Sequence, residues 1–520
     1  MSPIGLANLR QMRSRPRLAD AQEGFAGGIN IRSAADGLRV NQTRTCSNGI
    51  LDTWGDVTKR LGTRRLHQTA IVADTVVREG FCWRTATTHE YLAVCNGRLY
   101  SGGTYSTAMS WTDEGAIDNT TVYPSFAAFR DSTDEAVFIA DGATLRKYKA
   151  STLSAPASAA TGISSLAVYN QRLFGCTGDD QNIHWSGLND GDSLGNAGSG
   201  GGSAVIRTFS NQKITGLLTL KNSLAIFHVS GVSQFTGYTQ DDIAISAGTT
   251  GLSSDVGTVA PRSLIMVDGV GYFLSVRGAY RITDSGVEQL DSVKTPDPTL
   301  SVLSALTETE YLQIDAVYDK PTETIRWSIP GIGVYVYHTH LRAWSGPWDS
   351  GYVDPETHCV FDGVDDDGKP ITLVGGADGF VRQMDYASTY LDNVLYDGTG
   401  GTTYTLAVQC RRMFTGHDEA EKAWRWAYLF ADLRGTVSAS LSWVTSTGAG
   451  SYTLPNVSAG SNWGSVDWND FVWGGTGARP FRIPVSGRGT YIDFTISDDG
   501  EARSVYSRLT VEAFDYGRRG

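Results

Sequence analysis

Residues 90–100 read EYLAVCNGRLY, a hydrophobic strand, an Asn-Gly pair and a second strand that ends in an aromatic residue. Asn96-Gly97 is typical of a two-residue type I′ hairpin turn, because both residues tolerate a positive φ. The stretch therefore predicts a tight β-hairpin.

The same strand–turn–strand unit occurs seven times, at 90–100, 135–148, 166–174, 217–235, 264–282, 316–337 and 360–383. A repeat built from hairpins at this spacing is typical of a β-propeller, in which each blade is a four-stranded sheet around a channel. No WD or kelch signature accompanies the repeat, so the prediction rests on periodicity and turn chemistry. A set of β-sandwiches would give similar strands and remains the alternative.

The composition shifts near residue 390. Residues 397–403 read DGTGGTT, and about six strand patterns follow over the last part of the chain, which favours a β-sandwich. The predicted fold is all-β, with an N-terminal arm over 1–30, a β-propeller over 31–390 and a C-terminal β-sandwich over 391–520. Helix patterns are confined to 4–13 and 418–427, and the second reads more like the start of a strand.

The composition supports a large, turn-rich globular protein. The 520 residues include 60 Gly and only 15 Pro, with 41% hydrophobic, 10% aromatic and 19% charged residues, which argues against a coiled coil or a disordered chain. Six scattered cysteines without a CxxC pair exclude a zinc ribbon, and we expect them to be free and buried. No signal peptide and no membrane span are predicted, because no apolar stretch is long enough.

The net charge of −12 is unevenly distributed. Residues 1–65 hold eleven Lys/Arg and five Asp/Glu, or +6, and the rest of the chain is therefore −18. An acidic body disfavours tight binding to nucleic-acid phosphates and suits a surface past which DNA slides. Solubility alone is the other explanation. The basic N-terminal part could contact an acidic partner ring or a neighbouring subunit.

Motifs for catalysis are lacking in the sequence. It contains no GxSxG, Walker, HExxH or GxGxxG motif, and the chain is predicted not to be an enzyme and to need no cofactor. His338 and His340 alternate along a strand and could chelate a metal, but no further ligand has matching spacing. Residues 362–368 (DGVDDDG) resemble a calcium loop without its first Asp and last Glu, so a solvated acidic turn is favoured. No metal site is predicted.

Two further patterns leave alternatives open. Residues 110–115 (SWTDEG) are the nearest match to a sialidase Asp-box, with the wrong spacing and no later Trp. Basic and aromatic residues alternate at 411–414 (RRMF) and 424–426 (WRW). Such pairs can stack on bases or sugars, or make cation–π contacts on a sheet surface, and the second reading is favoured.

Three stretches together resemble one known family. The first is FAGGIN at 25–30, with Gly27, Gly28 and Asn30, followed by Asn41, Gln42, Asn48 and KRLGTR at 59–64. The second, within 169–194, contains Arg172, Leu173 and Phe174, then Trp185 and Ser186, then Asp190, Gly191 and Asp192. The third is GRGTYIDF at 487–494, with Gly487, Arg488 and Gly489, before an arginine-bearing terminus. Residues 25–30 could alternatively be the strand that closes the propeller.

These stretches resemble the nozzle-type tail proteins of short-tailed bacteriophages, which include the tail tubular B proteins and the packaged-DNA stabilisation proteins. The resemblance implies a structural virion protein that forms a homo-hexameric ring below the portal and adaptor. Its lumen would retain the genome and conduct double-stranded DNA at ejection without sequence-specific binding. The implied partners are further copies of the chain, the tail adaptor or portal-proximal ring, and tail fibres or tip proteins. The implied location is the virion tail, after assembly in the host cytoplasm.

The acidic residues Asp241, Asp242, Asp365, Asp366 and Asp367 are predicted to line the channel or its rim. Two other functions remain open. One is a carbohydrate-binding or carbohydrate-cleaving propeller or tailspike, which would need arginines and carboxylates in the propeller mouth. The other is a tail adaptor that binds fibres.

Overall fold

The structure is a computed structural model. It describes residues 17–515 except 53, 86–87, 104, 106–108, 118, 120–121, 132, 157–158, 208–210, 239–242, 292–295, 350, 387–388, 416–419, 435–437 and 456–478. Almost all described elements are β-strands, because short runs of β-branched and aromatic residues alternate with Gly, Asn and Asp turns. The predicted all-β class is confirmed.

Six short strands precede the repeats. They are Arg17–Gln22 (β1), Gly28–Ile29 (β2), Gln42–Ser47 (β3), Gly49–Leu51 (β4), Val57–Lys59 (β5) and Gly62–Arg65 (β6). Only β6 belongs to the propeller. The other five pair with each other or with strands from the end of the chain.

Seven four-stranded antiparallel units follow and form the propeller. Blade 1 contains Val77–Arg84 (β7), His89–Cys95 (β8), Arg98–Gly103 (β9) and Thr112–Ala116 (β10). Blade 2 contains Ser125–Arg130 (β11), Glu135–Ala140 (β12), Arg146–Lys149 (β13) and Thr152–Ser154 (β14). Blade 3 contains Ser165–Tyr169 (β15), Arg172–Cys176 (β16), Asn182–Trp185 (β17) and Gly202–Val205 (β18).

The remaining blades follow the same order. Blade 4 contains Ile214–Thr219 (β19), Leu224–His228 (β20), Gly231–Thr236 (β21) and Ala244–Ser246 (β22). Blade 5 contains Ile265–Val267 (β23), Val270–Ser275 (β24), Gly278–Thr283 (β25) and Gly286–Gln289 (β26). Blade 6 contains Asp315–Asp319 (β27), Thr324–Ile329 (β28), Gly333–His338 (β29) and Ala343–Trp348 (β30), and blade 7 contains Thr357–Val364 (β31), Pro370–Gly376 (β32) and Val381–Tyr386 (β33).

The ring of blades is closed by a strand from the start of the chain. β6 pairs antiparallel with β33, where Arg64 lies opposite Gln383, and so becomes the fourth strand of blade 7. The closing strand is therefore β6, and residues 25–30 do not close the propeller. The first strands of neighbouring blades contact each other around the axis, so they are the innermost strands. Blades 1 to 5 and blade 7 are each a separate sheet, whereas the sheet of blade 6 continues into a larger one.

Hairpin chemistry and packing explain why these residues form blades. Asn96 and Gly97 have φ values of 51° and 68°, as the predicted type I′ turn requires. Both faces of a blade pack on neighbours, and β28 and β29 are accordingly buried along their whole length. Aromatic pairs join blade to blade, such as Phe227 and Phe273, whose ring centroids lie 5.0 Å apart.

The end of the chain supplies eight strands. They are Leu406–Cys410 (β34), Lys422–Leu433 (β35), Ala439–Thr445 (β36), Gly448–Thr453 (β37), Arg479–Pro484 (β38), Arg488–Gly489 (β39), Ile492–Asp498 (β40) and Ser504–Asp515 (β41). One sheet has the order β38-β35-β41-β5-β4, with β1 on β41 and β39 on β35. The other runs β3-β34-β40-β36-β37, with β2 on β3, and is continuous with blade 6. A shared apolar core, which includes Leu429, Leu441 and Ile496, lies between them.

The helical elements in the described ranges are short. Two α-helical turns, Leu300–Leu303 (α1) and Glu308–Tyr311 (α2), lie between blades 5 and 6. Single 3₁₀ turns occupy Gly191–Ser193, Ala197–Ser199, Gly248–Thr250 and Pro261–Ser263. The helix predicted at 4–13 lies outside the described residues. Of the 418–427 pattern, residues from Lys422 onward form strand β35.

Strand pairing crosses the predicted domain limits. The arm predicted for 1–30 contributes β1 and β2 to the C-terminal sheets, and β3, β4 and β5 pair there as well, although they were included in the predicted 31–390 propeller. The limits at 30/31 and 390/391 stay predictions of the sequence. All six cysteines are free and buried, as expected.

Candidate functional site

Arg262 lies at the axis of the propeller, in the 3₁₀ turn that precedes blade 5. Its Nε donates to Glu79 Oε2 at 2.8 Å, on the innermost strand of blade 1. Its Nη2 donates to Asp315 Oδ2 at 2.7 Å, on the innermost strand of blade 6. Blades 1 and 5 are not neighbours in the ring, so this contact spans the channel.

The remaining donors of Arg262 are also engaged. Nη1 donates to the backbone oxygen of His358 at 3.1 Å, and Nη2 donates to the backbone oxygen of Arg78 at 3.2 Å. The Tyr123 ring lies 4.5 Å from the guanidinium, and its hydroxyl is 3.0 Å from His358 Nδ1. We call Glu79, Tyr123, Arg262, Asp315 and His358 the axial cluster. Its residues come from blades 1, 6 and 7 and from the segments that precede blades 2 and 5.

The charge balance of the axial cluster is uneven, because one guanidinium faces two carboxylates. The side chains of Arg262, Glu79 and Asp315 are only 11%, 13% and 8% exposed. Burial raises the pKa of Glu79 and of Asp315, and the opposing effect of Arg262 is shared between them. Burial also lowers the pKa of His358, which keeps its imidazole neutral. Burial therefore favours the protonated form of a carboxyl group in this cluster.

A second buried arginine joins the propeller to the C-terminal sheets. Arg60 Nη1 donates to Asp392 Oδ1 at 2.8 Å and Nη2 donates to Asp392 Oδ2 at 2.5 Å. The ring centroids of Tyr404, Tyr352 and Trp348 lie 3.9, 4.9 and 5.7 Å from the guanidinium. We call these five residues the junction cluster. Two parallel hydrogen bonds and stacked rings hold the arginine rigidly in one place.

The KRLGTR motif at 59–64 contains Arg60 and makes further contacts between the propeller and the C-terminal sheets. Lys59 Nζ donates to the backbone oxygen of Gly500 at 2.6 Å, so it ties β5 to the loop before β41. A Cβ added to Gly62 would lie 1.8 Å from the backbone oxygen of Leu391, which leaves room only for glycine. Arg64 Nη2 donates to the hydroxyl of Tyr105 at 2.8 Å, in blade 1. The motif therefore has a structural part in these contacts.

The FAGGIN motif packs strand β2 against blade 6. A Cβ on Gly27 would lie 2.7 Å from Gln42 Cγ, and a Cβ on Gly28, which has a φ of 62°, would lie 2.6 Å from the backbone oxygen of Trp344. Asn30 is buried, donates to Gln42 Oε1 at 3.0 Å and accepts from the backbone of Ser33. The glycines thus permit a close backbone approach.

The other motif residues also make structural contacts. Arg172 Nη1 donates to the backbone oxygens of Ser186 and Gly200 at 2.6 and 2.8 Å, so it fastens the loop between the third and fourth strands of blade 3. Trp185 is buried beside it. At the third motif, the backbone oxygen of Gly487 accepts from Trp424, Arg488 is exposed, and Gly489 lies against Ser446.

The acidic residues singled out in the sequence divide into two groups. Asp241 and Asp242 lie outside the described residues. Asp365, Asp366 and Asp367 lie in the loop between β31 and β32, where Asp365 Oδ1 accepts from the backbone nitrogens of Asp367 and Lys369 at 3.0 and 2.8 Å. Their location on a channel or rim stays a prediction.

The structure assigns neither candidate metal motif a ligand set. His338 is buried, with Nε2 3.1 Å from Ser345 Oγ, whereas His340 lies in the following turn. Within the described part of the chain, no group of three or more His, Cys, Asp or Glu side chains could hold a metal ion. No helix in that part is long and apolar enough to cross a membrane.

Of the alternating basic and aromatic residues, Arg411 and Trp424 are buried, whereas Arg412 and Arg425 reach the surface. Arg412 pairs with Asp493 at 2.7 Å and stacks 3.7 Å from the Tyr491 ring. Arg425 lies 5.3 Å from the ring of Phe514. These contacts support the cation–π reading.

Sequence reasoning did not find the axial cluster. Glu79, Arg262 and Asp315 stand in three different repeats, and no spacing within the chain links them. A signal for the cluster does exist in the positions of its residues. Asp315 is the first residue and Glu79 the third residue of the first strand of a blade. First strands of propeller repeats lie at the axis, so charged residues there face the channel.

No family model and no curated protein matches the chain. Among solved structures, it is similar to the extracellular domain of a one-component system from B. thetaiotaomicron, with 11% identity, a TM-score of 0.42, and coverage of 63% of this chain and 40% of that one. It is also similar to the N-terminal domain of Nup159, with 10% identity, a TM-score of 0.39, and coverage of 66% and 99%. The chain spans about two fifths of the length of the sensor domain it matches.

Proposed function

We propose that this chain is a structural protein of a phage tail, a nozzle subunit that assembles as a homo-hexameric ring. The ring forms and closes the conduit through which double-stranded DNA is retained and then ejected. Its partners would be its own copies, the tail adaptor or portal-proximal ring, and fibres or tip proteins.

The observation that carries a mechanical role is the sheet shared by the propeller and the C-terminal region. Strand β3 pairs with β34 along most of its length and with β30 of blade 6 at Cys46 and Gly346. Domains joined by a linker usually move relative to each other, whereas a continuous sheet and the buried junction cluster fix their angle. A fixed angle is what a closed ring of subunits needs.

The charge distribution supports the assignment to a DNA conduit. Residues 60–390 hold 23 Lys/Arg and 36 Asp/Glu, a formal charge of −13. A conduit lined by carboxylates repels phosphates and does not gain affinity from counterion release, so the duplex can slide. The resemblance of the FAGGIN, RLF–WS and GRG motifs to nozzle proteins is what selects this conduit among other mechanical roles.

The carbohydrate alternative gains no support from the axial cluster. An arginine that binds a sugar carboxylate must offer free donors, but the Nε and both Nη atoms of Arg262 already donate to protein groups. Opening this site would leave Glu79 and Asp315 buried without their partner, which is costly.

Electron microscopy tests the proposal. Purified protein and virions should show six-fold rings, and labelled antibody against the chain should bind the tail tip. A protein that stays monomeric at all concentrations and is absent from particles would contradict the proposed function.

A further inference from the structure

The outer face of the seven-stranded sheet is basic. On β35, Ala427 and Leu429 point into the core, so Trp426 and Tyr428 point outward. The strand register places Arg482 opposite Tyr428 and Arg508 opposite Phe430 on the same outer face. Arg425, at an irregularity in this register, is exposed beside them. We call Arg425, Trp426, Tyr428, Arg482 and Arg508 the basic sheet face.

Two arginines of this face contact aromatic rings. Arg482 stacks 3.7 Å from the centroid of Trp426, and Arg425 lies over Phe514. All three arginines are exposed, and none forms an ion pair with a carboxylate in the described ranges. Glu512 is the acidic residue on the face, with Oε2 3.5 Å from the hydroxyl of Tyr428. Among the described residues, the face thus presents cations that form no ion pair.

The acidic charge of the molecule lies elsewhere. The propeller segment, 60–390, has a formal charge of −13, whereas the rest of the chain has 20 Lys/Arg and 19 Asp/Glu, or +1. Loops that join the first and second strands of the blades all lie on one propeller face. That face presents exposed carboxylates from four blades, Asp134, Asp268, Glu323, Asp366 and Asp367, which outnumber the exposed lysines of the same loops, Lys221, Lys320 and Lys369. Asp134 and Asp367 are paired with Lys149 and Lys369.

We propose that the basic sheet face docks onto the acidic propeller of a second copy of this chain. The two surfaces differ, so the contact is heterologous and repeats from copy to copy until a ring closes. This inference rests on the proposed ring, and it names the surfaces that build it. Charge complementarity of this kind also orients the partners as they meet.

The free edge of the sheet favours docking through side chains. The edge strand β38 carries Pro480 and Pro484, which lack a backbone donor, so another strand cannot easily extend the sheet there. A second copy is favoured over DNA because the duplex carries about one negative charge per 1.7 Å and would approach a protein of net charge −12. The neighbouring propeller supplies carboxylates in a fixed arrangement instead.

Sedimentation of the full chain tests this contact. We compare the unmodified protein with Arg482→Glu/Arg508→Glu, and with Arg207→Glu/Arg277→Glu, which changes the net charge equally but at exposed positions on the opposite face of the propeller. Inversion on the basic sheet face should raise the concentration needed for assembly by at least about tenfold, and the propeller control should assemble like the unmodified protein. Raising the salt from about 50 mM to 500 mM should weaken assembly of the unmodified protein, because screening shortens the reach of exposed charges.

The outcomes separate the two proposals. If the unmodified protein never assembles, the proposed ring is wrong. If it assembles and the Arg482→Glu/Arg508→Glu variant assembles equally well, the ring survives and this contact is wrong. Equal loss in both variants would also overturn it, because net charge alone would then explain the effect. Binding of a DNA fragment that the sheet variant alone loses, with assembly unchanged, would make DNA the occupant and refute the contact. Circular dichroism checks that each variant is folded.

Discussion

The junction cluster and the axial cluster each bury one arginine, yet their charge balance differs. In the described part of the chain, Arg60 pairs with the carboxylate of Asp392 through two parallel hydrogen bonds, and three aromatic rings surround it. Arg262 is shared between Glu79 and Asp315. The first arrangement is neutral without any proton uptake, whereas the second is neutral only when one carboxyl is protonated.

Because their charge balance differs, we expect the two clusters to respond differently to a change in pH. A one-to-one pair that joins two parts of the molecule keeps its strength across the ordinary pH range. A one-to-two pair at the axis couples the packing of the residues around it to proton binding. We therefore expect the stabilisation by the junction cluster to be constant over this pH range, and the stabilisation by the axial cluster to depend on pH.

The largest expected effect is at the junction. Asp392→Ala would leave Arg60 buried without its counter-charge, and we expect a loss of about 3–5 kcal/mol in the free energy of unfolding. Urea unfolding followed by tryptophan fluorescence measures it. The double variant Arg60→Met/Asp392→Leu removes both charges and should recover most of the loss. Equal destabilisation by the single and the double variant would contradict the argument.

The axial cluster should show itself in the pH dependence of stability. Burial raises the pKa of Glu79 from 4.5 to about 8, so the folded state binds more protons than the unfolded state between these values. Stability is then full below the lower value and falls as the pH rises towards the upper one, by at most about 1.4 kcal/mol for each pH unit. Denaturant midpoints from about pH 5 to pH 9 measure this fall.

Glu79→Gln is the matched control for that titration. It keeps the size of the side chain and removes one ionisable group, so stability should become less dependent on pH across the same window. The same slope in both proteins would show that the axial cluster does not titrate.

The smallest effect is expected in the acidic turn between β31 and β32, where Asp365 is half-buried and Asp366 is exposed. Asp365 Oδ1 caps its own turn by accepting from the backbone of Asp367 and Lys369. Asp365→Ala should therefore cost about 1 kcal/mol, whereas Asp366→Ala should cost less than about 0.5 kcal/mol. The shift in thermal midpoint ranks the pair. A larger loss of stability in Asp366→Ala than in Asp365→Ala would show that the Asp365 carboxylate does not stabilise this turn.

Local chemistry made the blades predictable. A turn such as Asn96-Gly97 can be recognised from a pattern of two residues. Each of the seven predicted hairpins lies in a different blade. Ring closure was not predictable in this way, because β6 is four residues long and its partner β33 lies more than 300 residues later in the chain. The buried pairs were hidden for the same reason: the partner of Arg60 is Asp392, and no local pattern connects them.

Closure of the propeller by β6 has a consequence for biosynthesis. Gly62 lies opposite Tyr386, and Arg17 lies opposite Phe514. Strands that are translated early therefore cannot pair until strands that are translated much later are available. At about 5–20 residues per second, the ribosome needs on the order of tens of seconds to deliver β33 after β6. During that interval the first blades expose unpaired inner faces. A subunit can present its finished surfaces to a neighbour only after its last strand has been translated, so assembly is post-translational by topology.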